Sequence, residues 1–121
     1  MKSFEITQAK IVDFNRIALF LQQNFKNHNL KFNDNYVKNS FDNGIWFLAK
    51  QDGKIIGGIL LKIIKHDNRG ELKHLLVREN FRGKGIGKSL LTEVIKFTNK
   101  KSNGAPIKTS NQIIYRFKFR I

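Results

Sequence analysis

The sequence predicts an α+β domain of three layers, a mixed and mostly antiparallel sheet flanked by helices, with a shortened C-terminal part. Two helical patterns precede a run of strands, an Asp-Gly pair joins two apolar segments, and three closely spaced glycines separate a strand from an amphipathic helix. With 121 residues, 40% of them hydrophobic, the chain is long enough for one domain, residues 1–121, around one modest core.

The first part of the chain is predicted to contain one strand and two helices. Alternation over Phe4–Ala9 indicates a strand. Asp13 is a candidate cap for the first helix, since apolar residues recur at helical spacing over Phe14–Phe25. A second, short helix is predicted to begin at Asp34 and to end at Gly44. Its inward-facing residues are Tyr36, Val37 and Phe41.

The centre of the chain has the pattern of an antiparallel sheet. The apolar segments Ile45–Lys50 and Lys54–Ile64 flank Asp52-Gly53, a strong hairpin signal because both turn positions need a positive φ. A second turn is predicted at 67–70, and a further strand over Glu71–Val77. Three consecutive antiparallel strands follow from this pattern.

The last part begins with an amphipathic helix that runs to Lys101. Its apolar stripe is Ile86, Leu90, Leu91, Val94 and Ile95. Asn103-Gly104 and Pro106 end it, as glycine and proline commonly end helices. Strands are predicted over Ile107–Thr109 and, with one basic face, over Ile113–Ile121.

Composition excludes several classes of function. Without cysteine, the chain has no disulfide framework, thiolate metal site or cysteine nucleophile. Its N-terminus lacks the apolar stretch of a secretory signal, and the longest apolar run, Ile55–Leu61, is too short to span a membrane. A cytoplasmic protein without a membrane partner is therefore expected. The net charge of +14 favours an anionic partner: nucleic acid, an anionic surface or a phosphate-bearing cofactor.

The glycine-rich segment Phe81–Ser89 lies between the predicted strand and helix, where backbone N–H groups and the helix dipole favour an anion. A Walker A loop would need glycine at position 82, which is Arg82. The dinucleotide pattern G-x-G-x-x-G would need glycine at Lys88. Spacing thus excludes both nucleotide motifs. The remaining structural alternative is a tight turn, which does not explain three alternating glycines with interleaved basic residues.

The spacing that fits is Arg-x-x-Gly-x-Gly, formed by Arg82, Gly85 and Gly87. Together with the strand before it and the helix after it, this segment resembles motif A of the GCN5-related N-acetyltransferases. The match runs from Gly70 to Lys101, and the upstream helices and hairpin extend the resemblance to about Thr109.

The resemblance implies acetyl-CoA as co-substrate, with its pyrophosphate on the backbone N–H groups of Gly83–Lys88 and its pantetheine arm along Leu75–Val77. It implies no metal. The cofactor-binding residues implied in this way are Leu75, Leu76, Val77, Arg82, Gly83, Lys84, Gly85, Ile86, Gly87, Lys88 and Asn111.

Two catalytic residues are also implied by the resemblance. Glu71 is the candidate base for the attacking amine, and strand alternation puts it on one face with Lys73, Leu75 and Val77. The alternative is a solvent-facing glutamate paired with Lys73. Tyr115, in a shortened version of the family's context, is the candidate acid for the CoA thiolate; the alternative is a core tyrosine.

Strand alternation puts His74 on the opposite face of the same strand from Glu71. It could therefore act as a base only if a bulge redirected its side chain. Otherwise the residue is structural. The acceptor amine, on a small molecule or a protein, is expected to bind near the two N-terminal helices and the C-terminal end.

Three alternatives stay open at this level. A basic nucleic-acid-binding module would account for the charge of +14, although no nucleic-acid motif is present; the two ideas merge if the acceptor is anionic or nucleic-acid-associated. A degenerate member of the fold would bind CoA without turnover. The chain also stops where the family usually continues, so either its last strand or a second copy, in a homodimer, is expected to complete the sheet.

Overall fold

The structure is a computed structural model that describes residues 3–25, 31–64 and 69–101. In chain order the elements are β1 (Glu5–Gln8), α1 (Phe14–Asn24), α2 (Asp34–Ser40), β2 (Gly44–Gln51), β3 (Lys54–Ile64), β4 (Arg69–Val77) and α3 (Ile86–Lys101). Short 3-10 turns at Ile11–Asp13 and Glu79–Phe81 precede α1 and the glycine segment. In these ranges no helix has the length and apolar character needed to cross a membrane.

The four strands form one sheet in the order β1-β2-β3-β4, and each neighbouring pair is antiparallel. The predicted hairpin between β2 and β3 is confirmed, since Asp52 and Gly53 both have positive φ, 52° and 78°. With helices on both faces of the sheet, the predicted fold class is confirmed.

The two N-terminal helices begin close to where the sequence predicts, but their ends differ in detail. Asp13 makes no cap bond to α1; its carboxylate accepts from the Lys10 N–H at 3.4 Å. Asn33, one residue before Asp34, caps α2 by accepting from the Tyr36 N–H at 2.8 Å. The prediction that Gly44 ends α2 is wrong, because the helix ends at Ser40 and Gly44 starts β2.

The reason for this early end lies in the Ser40 side chain. Its hydroxyl donates to the Val37 carbonyl and accepts from the Trp46 indole N–H, the latter at 2.7 Å. Trp46 is fully buried in β2. These bonds therefore fasten the last turn of α2 directly to the sheet.

Apolar residues form a cluster on each side of the sheet, which makes the sheet the middle layer. The α3-side cluster contains Phe47, Ala49, Ile56, Ile59, Leu61, Leu72, Leu75, Val77, Ile86, Leu90 and Val94. The α1/α2-side cluster contains Ile17, Ala18, Phe20, Leu21, Phe32, Val37, Trp46, Leu48, Ile55, Leu60 and Leu76. Of the predicted α3 stripe, Ile86, Leu90 and Val94 are buried, whereas Leu91 and Ile95 are half-buried.

A β-bulge interrupts β4 at His74. Gly58 of β3 pairs with Leu76, but Leu60 pairs with Lys73, so β4 carries one extra residue in this interval. His74 takes that place with φ 59°, a left-handed conformation that is uncommon for a residue other than glycine. The bulge shifts the alternation of the strand by one residue.

This shift overturns the predicted face of Glu71. Leu72 and Leu75 both belong to the α3-side cluster. In a regular strand these two residues, three positions apart, would point to opposite faces. Glu71 lies opposite Lys62, next to the inward pair Leu72 and Leu61, and so it faces the α1/α2 side. It shares this side with Lys73 but not with Leu75 or Val77, because the extra residue lies between them.

Several predictions concern residues outside the described ranges. These are the helix stop at Asn103-Gly104 and Pro106, the strands Ile107–Thr109 and Ile113–Ile121, and the first half of the turn at 67–70. Its second half, Arg69 and Gly70, already belongs to β4.

At Gly57 of β3, the side chains of α3 pack closely against the sheet. A Cβ built on this residue would lie 3.0 Å from Ile86 Cγ2 and 3.3 Å from Leu90 Cδ1. A larger side chain therefore requires the side chains of Ile86 and Leu90, or α3 itself, to shift.

We expect Gly57→Val to lower the free energy of unfolding by about 1–3 kcal/mol, because overpacking forces side chains and backbone to shift. The matched control is Thr92→Val, which introduces the same side chain on the exposed face of α3 and should change stability by less than about 0.5 kcal/mol. Chemical denaturation of the three proteins measures both effects; equal stability of Gly57→Val and wild type would contradict the close approach.

Candidate active site

The turn between β4 and α3 owes its shape to two glycines in left-handed conformation. Gly83 and Gly85 have φ values of 80° and 82°, which are strained for any residue with a Cβ. A Cβ built on either glycine meets no atom within 4 Å, so the space beside the turn is open. Glycine is thus needed here for the backbone conformation, not for lack of room.

The start of α3 presents several N–H groups at this turn. The first α-helical bond runs from the Ser89 N–H to the Gly85 carbonyl at 2.9 Å. The N–H groups of Ile86, Gly87 and Lys88 come before that bond and have no partner within the helix. They carry the positive end of the helix dipole, next to the exposed side chains of Lys84 and Lys88. This arrangement suits a phosphate or pyrophosphate.

Two arginines fix the connection between β4 and the turn. The Arg82 Nε donates to the Val77 carbonyl, the last of β4, at 3.0 Å. The Arg78 Nε donates to the Ile55 carbonyl at 2.7 Å, and its guanidinium lies 5.1 Å above the Phe20 ring. Burial lowers the pKa of Arg78. The glycine turn is therefore attached to β3 and β4 through specific hydrogen bonds and to α1 through a cation–π contact.

Two clefts border the first turns of α3, and Phe4 lines both. One has a volume of about 230 Å³ and the other about 320 Å³. Ser3, Phe4, Gln51, Ile56, Phe81, Lys84 and Ile86 line the smaller; Phe4, Ile6, Lys88, Ser89, Thr92, Glu93 and Lys96 line the larger. Three of these side chains are lysines, so the surroundings of the turn are basic as well as open.

The end of β4 offers main chain rather than side chains. Leu75, Leu76 and Val77 are all buried, at 4%, 2% and 1% exposure. Within the described residues β4 pairs with β3 alone. Of the predicted cofactor residues, these three can thus contribute through their backbone.

On the α1/α2 side, the bulge places His74 among four aromatic rings. Its ring centroid is 5.0 Å from that of Phe32 and 6.4 Å from that of Phe25, and it stacks on Trp46 at 6.2 Å. The fourth ring is that of Tyr36, whose hydroxyl oxygen lies 2.7 Å from His74 Nε2. This is a hydrogen bond between α2 and the bulge of β4.

Burial and charge keep both members of this pair neutral near neutral pH. The pKa of His74 falls from 6.5 to about 4, first because the ring is buried and then because Lys31 and Lys73 are close. Burial raises the pKa of Tyr36.

The left-handed backbone of His74 costs about 1–3 kcal/mol, a type of strain that is concentrated at functional sites.

The structure brings together part of the predicted site. Residues 82–88 form one turn, directly after the predicted backbone stretch 75–77. Glu71 lies on the same side of the sheet as the His74 ring, on the other side of the bulge from that stretch. Asn111 and Tyr115 lie outside the described residues, and their roles stay predictions.

Sequence reasoning missed Tyr36 as a candidate functional residue. It is 38 residues away from His74, and no local pattern connects a residue of α2 with one of β4. The one signal in the sequence is His74 itself, since a bulge at this position redirects its side chain. Among the described residues, no group of three or more histidine, aspartate or glutamate side chains is arranged to hold a metal ion.

The buried imidazole makes a prediction for stability. Because the folded pKa of His74, about 4, lies below the unfolded value of 6.5, the unfolded chain binds more protons between these pH values. The stabilisation is complete above pH 6.5 and is lost as the pH falls towards 4. The full shift corresponds to about 3 kcal/mol, and we expect roughly half of it because part of the ring is exposed.

The control is His74→Asn, since asparagine tolerates the left-handed conformation and does not titrate. Denaturation at a series of pH values should show a difference between wild type and variant that changes between pH 6.5 and 4. Parallel pH profiles would contradict the lowered pKa.

Comparisons with known proteins agree with this geometry. A PaiA N-acetyltransferase from Thermoplasma acidophilum, solved in complex with coenzyme A, has a TM-score of 0.72 and 26% identity, over 84% of this chain and 75% of that one. A ribosomal-protein-alanine N-acetyltransferase from Brucella melitensis biovar Abortus 2308 has a TM-score of 0.66 and 21% identity, over 87% and 77%.

An aminoglycoside acetyltransferase from an uncultured soil metagenomic sample, HMB0005, shares the fold over nearly the whole of both chains. It covers 99% of this chain and 98% of its own, with a TM-score of 0.66 and 18% identity. A search of curated proteins finds no match. The family described as "Acetyltransferase (GNAT) family" matches residues 12–112. With this match over most of its length, the chain belongs to the GNAT acetyltransferase family.

Proposed function

We propose that the chain is an acetyl-CoA-dependent N-acetyltransferase, in which an amine attacks the thioester directly. The observation that carries the proposal is the turn before α3, where two left-handed glycines with open space beside them lead into a helix whose first N–H groups have no partner within the helix. Membership of the GNAT family and the coenzyme A bound in the Thermoplasma acidophilum structure support it.

In this proposal the pyrophosphate binds the backbone N–H groups of Gly83–Lys88, and Lys84 and Lys88 supply positive charge. Arg82 contributes through its bond to the Val77 carbonyl, which holds the turn against the strand. The pantetheine arm lies along the backbone of Leu75–Val77, and an N–H group there polarises the thioester carbonyl.

The amine has to lose a proton before it can attack, since an alkylammonium has a pKa of about 10.4. We assign this step to Glu71, directly or through water. The assignment is supported by the half-buried position of Glu71 on the α1/α2 side, the side of the two N-terminal helices near which the acceptor is expected. The acceptor is an amine on a small molecule or on a protein.

Binding of acetyl-CoA should raise the melting temperature, because a ligand that binds the folded state alone stabilises it by about 2.7 kcal/mol at one hundred times its Kd. Gly85→Glu should abolish this rise by placing a carboxylate at the anion site. Differential scanning fluorimetry with and without acetyl-CoA measures both.

The matched control is Gly53→Glu in the β2–β3 hairpin. Gly53 has a similar φ, 78°, and its Cβ position is equally open, so the change carries the same charge and the same kind of strain. This variant should lose stability but keep the acetyl-CoA shift. If wild type shows no shift at saturating acetyl-CoA, or if Gly85→Glu keeps it, the assigned site is wrong.

Glu71→Gln should reduce kcat about 10²- to 10⁴-fold, the usual contribution of a positioned base, and leave acetyl-CoA binding unchanged. Release of CoA thiol across a panel of amines measures the rate. The control is Glu79→Gln, an exposed acid between β4 and the glycine turn. An unchanged rate in Glu71→Gln would remove Glu71 as the base.

A further inference from the structure

The hydrogen bond between Tyr36 and His74 has no part in the mechanism proposed above, yet one of its partners, His74, has a strained backbone conformation. His74 is held at φ 59° in the middle of β4, and its Nε2 lies 2.7 Å from the Tyr36 hydroxyl oxygen. Packing alone would require only the rings. A polar bond inside a group of aromatic rings requires that both partners remain paired.

The position of the pair relative to the cofactor follows from the proposed function. The thioester is at the opposite end of the pantetheine arm from the pyrophosphate. His74 lies three residues before Val77, or roughly 10 Å along a strand that rises about 3.3 Å per residue. The pair thus lies along β4 in the direction from the anion site to the thioester, on the side that also carries Glu71.

Resting on the proposed function, we propose that the Tyr36 hydroxyl, held by the His74 imidazole, is the acid that protonates the CoA thiolate as it leaves. In this step the C–S bond of the tetrahedral intermediate breaks, the sulfur keeps the electron pair and takes the hydroxyl proton. The phenolate oxygen then takes the proton that the acylated nitrogen loses. Tyr36 ends as it began, and the products are the amide and the free thiol.

His74 acts in this step as a positioning residue. The proposal requires the tautomer with a proton on Nε2, which donates to the Tyr36 oxygen and so turns the hydroxyl proton away from the imidazole and towards the sulfur. The imidazole does not change its protonation. Lys31 and Lys73 are the cations close to the ring, and Glu71 is the carboxylate on the same side. The two lysines stabilise the negative charge that develops on oxygen and sulfur.

The chain has only two tyrosines, so the assignment can be tested by comparing two variants. Tyr36→Phe keeps the ring and removes the hydroxyl. We expect kcat for thiol release to fall about 10²-fold with the KM for acetyl-CoA unchanged. The loss in Tyr36→Phe should exceed that in Tyr115→Phe.

A second readout needs no acceptor. Bound CoA is titrated by the ultraviolet absorbance of its thiolate, which a nearby hydroxyl donor stabilises. In Tyr36→Phe the pKa of the bound thiol should rise by about one pH unit. His74→Asn keeps the left-handed backbone, loses the bond to the hydroxyl and should move both readouts in the same direction by a smaller amount.

The control is Ser40→Ala, which also removes a hydrogen-bonded hydroxyl from α2 but one that bonds Trp46. It should lower the melting temperature and leave kcat within twofold. If Tyr36→Phe also keeps kcat within twofold and the thiol titration unchanged, or if Tyr115→Phe shows the larger loss, the proposal is overturned. Failure of acetyl-CoA to stabilise the wild type would refute the proposed function instead, because that measurement is independent of Tyr36.

Discussion

The extra residue in β4 is the constraint on which the arrangement of the site depends. Without it, Leu72 and Leu75 would point to opposite faces of the sheet, and one of them would leave the cluster beneath α3. With it, both pack against α3 while the His74 ring turns to the other layer. The alternation of inward-facing residues before the bulge thus differs by one position from the alternation after it. One strained residue allows the strand to pack against both apolar clusters.

The glycine turn, at which we propose that the pyrophosphate binds, depends on the same strand through its C-terminal end. Val77 is the last residue of β4, and its carbonyl accepts from Arg82, so the turn begins at a fixed point. Gly57, opposite Val77 in β3, allows the first turn of α3 to approach the sheet. The turn that leads to the helix N–H groups consequently has a fixed position relative to the end of β4. The close packing of α3 on β3 thus helps to fix the position of the glycine turn at the end of β4.

Local signals were enough to predict most of the fold. The Asp52-Gly53 hairpin, the glycine turn and the buried stripe Ile86, Leu90 and Val94 are each encoded within a few residues, and each is confirmed. The predicted face of Glu71 is wrong because a bulge adds one residue to β4. The sequence gives no glycine as a signal for this bulge, since the left-handed residue is a histidine. Alternation counts assume a regular ladder, and sequence alone does not show where a ladder is broken.

The site was less predictable than the fold for a related reason. The turn of residues 82–88 is contiguous in the chain and has a spacing that can be tested. The bond between Tyr36 and His74 joins α2 to β4 across 38 residues, and it exists only because α2 packs against the sheet at the bulge. Pairings of this kind are determined by tertiary packing, so they are visible only once the layers are assembled.

Part of the chain's excess of positive charge lies close to the bulge, where it affects the protonation of the His74 imidazole. Lys31 and Lys73 help to keep His74 neutral, because a positive potential disfavours a second cation. In the proposed mechanism, the same potential favours the neutral form of an amine that binds beside the ring, and this is the form that attacks a thioester. The proposed anion at the glycine turn and the proposed neutral amine at the bulge are thus both compatible with a basic chain. A charge of +14 is therefore compatible with an amine acceptor, and it does not by itself call for nucleic acid as the partner.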